Sequence, residues 1–240
     1  MANFSGGSAY ESNLHQLIKT LDSNCSLTPY SNGFYNISIG KTDTINAIGL
    51  CRGDKKPDAC HNCIKNISRL LPQLCPNKIE VFGAYDDCML RYTSRPIFRH
   101  MDFTYYFAMN SSVHVPNAER YHQVLDSLIN ELKSMASSGD SNLKYASGSV
   151  LWSNSIAIYA LTQCTPDLSF AECYSCLSLA SAFIPSCCDG RAGGRVVSPS
   201  CNVRFEPYMF FDTDFNNPSL PPPPAPVLEG PSPVMDSLFL

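Results

Sequence analysis

No run of eighteen or more apolar residues occurs in the 240-residue chain, so no segment is long enough to cross a bilayer as a helix. The opening stretch, MANFSGGS, has neither the basic start nor the apolar run of an export signal. Charge is scarce as well. Only 16% of the residues are charged, the formal net charge is −4 and the isoelectric point is near 5.7. That leaves no basic field to gather phosphates by counterion release and excludes nucleic acid as a partner. Catalytic signatures are missing too: there is no His-Glu-x-x-His, no Gly-x-Ser-x-Gly, no phosphate loop and no Gly-x-Gly-x-x-Gly. His15, His61, His100, His114 and His122 are scattered. Asp86-Asp87 lies beside a cysteine and reads as solvated strand-end residues rather than an acid–base couple. The expectation is a protein that is not an enzyme and holds neither cofactor nor metal.

What the chain has in excess is cysteine, twelve residues in a sequence that is 44% hydrophobic and of ordinary globular balance. Cys51, Cys60, Cys63, Cys75 and Cys88 recur as Cys164, Cys173, Cys176, Cys188 and Cys201, each 113 residues further on. Five coincidences at one offset mean an internal duplication. Near the start of each half the offset is 111, with Tyr10, Leu14, Leu17, Ile18 and Leu21 answered by Tyr121, Leu125, Leu128, Ile129 and Leu132. Two domains of similar fold follow.

Each half reads in the same order. The opening segment has apolar residues at i, i+3, i+4 and i+7, the period of a helix with one buried face, and Pro116 suits the first turn of the second copy. Phe34 to Ile39, Ile45 to Leu50, Ser149 to Trp152 and Ile156 to Leu161 alternate as antiparallel strands with one covered face do. A second helix starts near Asp58 and near Ser169, which places each Cys-x-x-Cys pair one turn apart on one face. Strand-like stretches around Cys88 and Cys201 close the halves. This is an α+β unit with helices packed on one side of an antiparallel sheet. From Pro218 to Pro233 eight prolines are concentrated, the composition of an extended, solvated linker or tail.

Cysteines in this density serve either disulfides or zinc. Each half offers Cys-x8-Cys-x2-Cys-x11-Cys-x12-Cys with one close pair only, and His61 has Tyr174 as its counterpart. A ligand lost from one copy argues against a shared metal site, and the pattern does not suit a thioredoxin-type redox pair. Disulfides are the favoured reading, and they imply an oxidising compartment. Asn-x-Ser acceptors at Asn3, Asn24, Asn36, Asn66 and Asn110 agree with export, and all lie in the first half or at its junction with the second.

At this point the residues reach a resemblance. Tyr10-Glu11-Ser12-Asn13-Leu14, Phe34-Tyr35-Asn36, Cys51-Arg52-Gly53-Asp54, Cys75-Pro76-Asn77 and Cys88-Met89-Leu90-Arg91-Tyr92 surround the cysteine spacing of the first half. Gln163-Cys164-Thr165-Pro166-Asp167-Leu168, Gly193-Gly194-Arg195-Val196 and Pro199-Ser200-Cys201-Asn202-Val203-Arg204-Phe205-Glu206 do so in the second. The set resembles the plant ginkbilobin-homologous (salt-stress-response/antifungal) domain over about residues 3 to 212. Its tandem arrangement with a proline-rich tail resembles the ectodomain of cysteine-rich receptor-like kinases and the cysteine-rich repeat secretory proteins. The resemblance implies two helices on a five-stranded antiparallel sheet in each half. The expected organisation is a first domain over 1–108, a second over 109–215 and a disordered tail over 216–240, with no room for a kinase.

The resemblance also implies the bridges Cys51–Cys60, Cys63–Cys88, Cys164–Cys173 and Cys176–Cys201. The family's third bridge starts from a cysteine ahead of the first helix, which neither half has. Cys25 and Cys187 remain, with Cys25–Cys75 and the adjacent Cys187–Cys188 as the open pairings. Together with the missing export signal, this suggests a chain that begins inside a longer secreted precursor, or a truncated reading of its gene. Ginkbilobin itself binds mannose through an asparagine, an arginine and a glutamate. The last two carry over to Arg195 and Glu206, whereas the first half has Phe82 and Thr93 in those places. An arginine fork and a carboxylate suit adjacent hydroxyls, and the competing reading is a cross-strand ion pair. Tyr105, Tyr106, Phe107, Tyr208, Met209, Phe210 and Phe211 supply apolar material for a protein-binding face or for the core. The resemblance thus implies an extracellular recognition module in defence or stress perception, with a mannose-type glycan or another ectodomain as partner. A soluble antifungal lectin is the alternative. Its place is the apoplast or the outer face of the plasma membrane.

Overall fold

The computed structural model describes residues 2–23, 33–139, 143–153 and 156–213. Asn24, Cys25 and the proline-rich stretch lie outside them. The first unit runs α1 (Ala9–Ser23), β1 (Phe34–Ile39), β2 (Ile45–Cys51), α2 (Pro57–Leu74), β3 (Val81–Ala84) and β4 (Cys88–Thr93). Its antiparallel sheet has the order β1-β2-β4-β3. The second unit runs β5 (Phe107–Asn110), α3 (Ala118–Ser138), β6 (Lys144–Ser153), β7 (Ile156–Cys164), α4 (Phe170–Ala182), α5 (Ile184–Cys188), β8 (Gly194–Val197) and β9 (Cys201–Glu206), with the sheet order β5-β8-β9-β7-β6.

Two expectations need correction. Among the described residues the first sheet has four strands, not five. By packing, the compact units divide between His100 and Met101, and Phe107 and Ala108 pair with Val197 and Val196 in the second sheet. The second unit also has a third, short helix. Pro72 is carried inside α2, but its repeat partner Pro185 stands in the first turn of α5 after α4 has ended, since a proline without N–H suits a helix start better than an interior. Likewise Pro116 sits ahead of α3, whose N-cap is Asn117 accepting from the Arg120 N–H.

The helices bury one face each. Tyr10, Leu14, Leu17 and Leu21 of α1 and Cys60, Ile64, Ile67 and Leu71 of α2 cover Ile45, Ala47, Leu90 and Tyr92. Tyr121, Leu125, Ile129 and Leu132 of α3 and Cys173, Cys176 and Leu177 of α4 cover Ile158, Ala160, Val203 and Phe205. The two copies even share a hydrogen bond: the Tyr10 hydroxyl donates to the Ile79 carbonyl at 2.5 Å and that of Tyr121 to the Ala192 carbonyl at 2.6 Å. Burial pushes both phenol pKa values upward. The central strands are buried on both faces, β2 along its whole length, where alternation suggested one covered face.

The cysteines form a small cage in each unit. Cys51 stands directly opposite Cys88 across β2 and β4, and Cys164 opposite Cys201 across β7 and β9. These neighbours do not bond each other. Each bonds instead to a cysteine of the overlying helix, as Cys51–Cys60 and Cys63–Cys88 with Cα separations of 5.5 and 6.0 Å, and as Cys164–Cys173 and Cys176–Cys201 at 5.7 and 6.1 Å. All four separations lie in the ordinary range. A fifth bond joins the adjacent Cys187 and Cys188 in α5. Cys75 is a free thiol, its expected partner Cys25 lies outside the described residues, and the other ten described cysteines are paired with one another.

Beside the first cage, Arg52 lays its fork on Asp54, Nε to Oδ1 at 2.6 Å and Nη2 to Oδ2 at 2.9 Å, with both side chains buried. Its Nη1 lies 3.4 Å from Asp87 in the β3–β4 turn, and its backbone N–H donates to the Asp87 carbonyl. The second half has Thr165 and Asp167 at these positions. Removing one member of a buried ion pair strands the other charge, so Asp54→Ala should lower the stability of the first unit by about 3–5 kcal/mol. Urea unfolding with the disulfides intact measures this, and a loss below about 1 kcal/mol would show that the pair behaves like an exposed one.

Candidate functional site

The paired register of β8 and β9 sets Arg195 opposite Arg204, and that of β7 and β9 sets Glu206 opposite Tyr159. Side chains alternate along a strand, so Arg195, Asn202, Arg204, Glu206 and Tyr159 share one face, with Val203 and Phe205 turned to the helices. The two residues carried over from the mannose site therefore stand on the same face. Glu206, however, is held from within its own strand: Nε and Nη2 of Arg204 both lie 3.0 Å from its Oε1. The Phe210 ring lies under the same guanidinium, 4.4 Å from its centre, and Phe211 packs edge-on against Tyr159. Arg195 and Arg204 are each only 8% exposed. The carboxylate is thus neutralised by Arg204.

Sequence reasoning missed Arg204 and Gly193. A Cβ on Gly193 would lie 2.3 Å from Oε2 of Glu206, so a glycine is needed where the carboxylate sits. The signal is in the repeat. At 113 residues' offset, Arg204 corresponds to Arg91, Glu206 to Thr93 and Gly193 to Glu80. In the first unit the acid comes from the residue before β3, with Glu80 Oε1 2.8 Å from Arg91 Nη2 and 2.6 Å from Arg95 Nη2. The two copies keep an arginine–carboxylate pair and exchange the position that supplies the acid. Burial raises the pKa of Glu80, but the hydrogen bonds from Arg91 and Arg95 outweigh it and hold the group below its usual value.

The other candidate residues are dispersed. Phe103 stacks on Tyr106 and on Phe183, and the Tyr106 and Phe183 rings meet at a tilt with centroids 4.1 Å apart. Tyr208 and Met209 are exposed, whereas Phe211 is buried. Asp87 pairs with Arg52 and Lys55. Asn3, Asn36, Asn66 and Asn110 are all exposed, and the Asn110 amide donates to the Cys187 carbonyl at 2.7 Å. Ser68, the hydroxyl residue of the Asn66 acceptor, is buried and bonded to the Lys65 carbonyl. Among the described residues no group of three or more His, Cys, Asp or Glu side chains could hold a metal, and no helix is long and apolar enough to cross a membrane.

Comparison with known proteins follows this geometry. A family described as salt stress response/antifungal matches residues 1–95 and 109–208. The chain is 43% identical over 213 residues to cysteine-rich receptor-like protein kinase 27 of Arabidopsis thaliana, covering 88% of the chain and 32% of the relative. It is 35% identical over 212 residues to cysteine-rich repeat secretory protein 38 of the same plant, covering 88% of the chain and 82% of the relative. It is also 35% identical over 211 residues to an antimicrobial ginkbilobin-2-like protein of Castanea crenata, covering 88% and 85%. The chain thus spans about a third of the length of the receptor-like kinases it matches. Among solved structures, the tandem DUF26 ectodomain of the Arabidopsis thaliana cysteine-rich receptor-like protein PDLP8 superposes with a TM-score of 0.71 at 20% identity, over 86% of this chain and 93% of that one. That of PDLP5 gives 0.67 at 26%, over 85% and 94%.

Two predictions follow from the exchanged acid. Because the folded-state pKa of Glu80 is depressed, its stabilisation is complete above the unfolded value of about 4.3 and is lost as the pH falls through the folded value. The thermal midpoint of the first unit should fall more steeply below about pH 4.3 in the parent than in Glu80→Gln, and parallel profiles would refute this. In the second unit, Gly193→Ala should cost about 1–3 kcal/mol by displacing the Glu206 carboxylate. The double variant Gly193→Glu with Glu206→Thr, which rebuilds the first-unit arrangement, should recover stability in a double-mutant cycle.

Proposed function

The chain belongs to the salt stress response/antifungal family, with two of its domains in tandem, and we propose that it is a non-catalytic extracellular recognition module acting in plant defence or stress perception. The observation that carries this reading is the pair of disulfide cages. Each cage fixes a helix turn to two adjacent strands, and such bonds persist in an oxidising compartment. The relatives that are receptor ectodomains or secreted proteins support the same compartment. The apoplast and the outer face of the plasma membrane both suit it, and Asn3, Asn36, Asn66 and Asn110 are the glycan acceptors exposed for it.

The partner we favour is another ectodomain. A mannose-type glycan draws support from Arg195 and Glu206 sharing a face. Against it stand the engagement of Glu206 by Arg204, and Phe82 and Thr93 in the first unit. Two of three contacts, one already neutralised, hold a small polar ligand weakly. The disulfide-intact protein should bind a member of a panel of plant receptor ectodomains and leave the mannose features of a glycan array empty. Mannose binding abolished by Arg195→Ala would establish the lectin reading instead.

A further inference from the structure

The duplication supplies a reference for the contact between the two long helices of each unit. In the first, Asp22 near the end of α1 takes Lys65 Nζ at 3.2 Å and Arg69 Nη2 at 2.5 Å, both from α2. At the repeat offsets these three positions become Lys133 on α3 and Ser178 and Ala182 on α4. The sign of the first charge is inverted and both of its partners are gone. Lys133 is 7% exposed. Its ammonium has one long hydrogen bond, 3.5 Å to the Ser178 hydroxyl, and lies 5.3 Å from the centre of the Tyr174 ring. Among the described residues it makes no ion pair; Asp126, two turns back on α3, attracts it from beyond salt-bridge reach. Burial pulls its pKa below the usual value, as expected of a cation short of compensation.

The surface around this ammonium is unusual for an outward helix face. Phe170 is 53% and Tyr174 37% exposed, and their rings stack at 6.0 Å and 14°. Ala171, Ser175 and Leu179 are exposed beside them. Apart from Glu172, which closes the α4 capping box on Ser169, the helix carries no charge. The matching α2 positions are Pro57, His61, Asp58, Asn62 and Asn66, an ordinary polar face. An aromatic shelf about one turn long, two serine hydroxyls and one buried cation thus share this face, and among the described residues no carboxylate pairs with the cation.

We propose that this α3–α4 face binds an acidic saccharide, the carboxylate of a uronate residue seated against the Lys133 ammonium and its pyranose ring on the Phe170–Tyr174 shelf, with Ser175 and Ser178 meeting the hydroxyls. The overall charge of −4 supplies no general attraction for polyanions, so the selectivity resides in this one cation. The site is separate from the Arg195–Glu206 face and goes beyond the recognition function proposed above; it rests only on the extracellular part of that reading, and direct binding tests it whichever ectodomain is the partner.

Calorimetric titration of the full, disulfide-intact chain with trigalacturonic acid is the test, with neutral galactotriose and triglutamate as controls. Trigalacturonic acid should bind and the two controls should not. Lys133→Met should weaken binding by about tenfold or more, the loss of a charge-assisted hydrogen bond, without lowering the thermal midpoint. Ser178→Asp supplies the missing carboxylate from within, so it should raise the thermal midpoint and block the saccharide. The proposal is overturned if trigalacturonic acid fails to bind, if its binding survives both substitutions, or if triglutamate binds equally well, which would make the face a peptide site.

Discussion

In each unit the fold depends on one covalent arrangement: a single turn of helix bonded to two adjacent strands at directly opposed positions. Cys60 and Cys63, three residues apart on α2, reach Cys51 and Cys88, which face each other across β2 and β4. Cys173 and Cys176 do the same with Cys164 and Cys201. Bonds of this kind typically stabilise by about 2–4 kcal/mol each, largely by restricting the unfolded chain. They also set the height and rotation of the helix over the sheet, and therefore which residues of α2 and α4 face the core. With that turn fixed, Ile64, Ile67 and Leu71, like Leu177 and Ala180, have one way to meet the strands. Units of about a hundred residues bury modest cores, and the cage makes them less dependent on helix–sheet packing.

A framework held covalently leaves the remaining positions free to diverge, and the charged residues have done so in pairs. Around the arginine of the last strand, the acid stands at Glu80 in one copy and at Glu206 in the other, with Gly193 vacating the space that the second arrangement needs. Between the long helices, Asp22 with two cations in the first copy has become Lys133 with a serine and an alanine in the second. The first exchange conserves charge balance and therefore concerns stability. The second does not conserve it, and a buried cation without an ion pair among the described residues is the kind of feature a ligand completes. That difference is why the two copies are unequal candidates for recognition, although their cysteines match one for one.

Much of the architecture was legible because it is periodic. The offsets of 113 and 111, the apolar spacing of α1 and α3 and the alternation in β1 and β7 are properties of residue order, and the structure follows them closely. Edges and ends were harder to read. β5 joins the second unit because its backbone pairs with β8, a contact between positions far apart in the chain. Pro72 and Pro185 are equivalent in sequence and differ in outcome because one lies within a continuing helix and the other where α4 has already stopped. Burial of both faces of β2 was hidden because alternation reports only the polarity of a residue and not what lies above it.

The candidate sites divide along the same line. Residue order alone determined that this is a duplicated, cysteine-stapled α+β chain without catalytic signatures, and it marked Arg195 and Glu206 as a pair worth locating, because repeats and motifs are local patterns. Only the tertiary structure decided what those side chains do. Strand register placed them on one face but gave the carboxylate to Arg204, and helix packing enclosed Lys133 beside an aromatic shelf, with no ion pair among the described residues. An ion pair exists when two groups meet within a few ångströms, and for residues tens of positions apart that distance is set by packing.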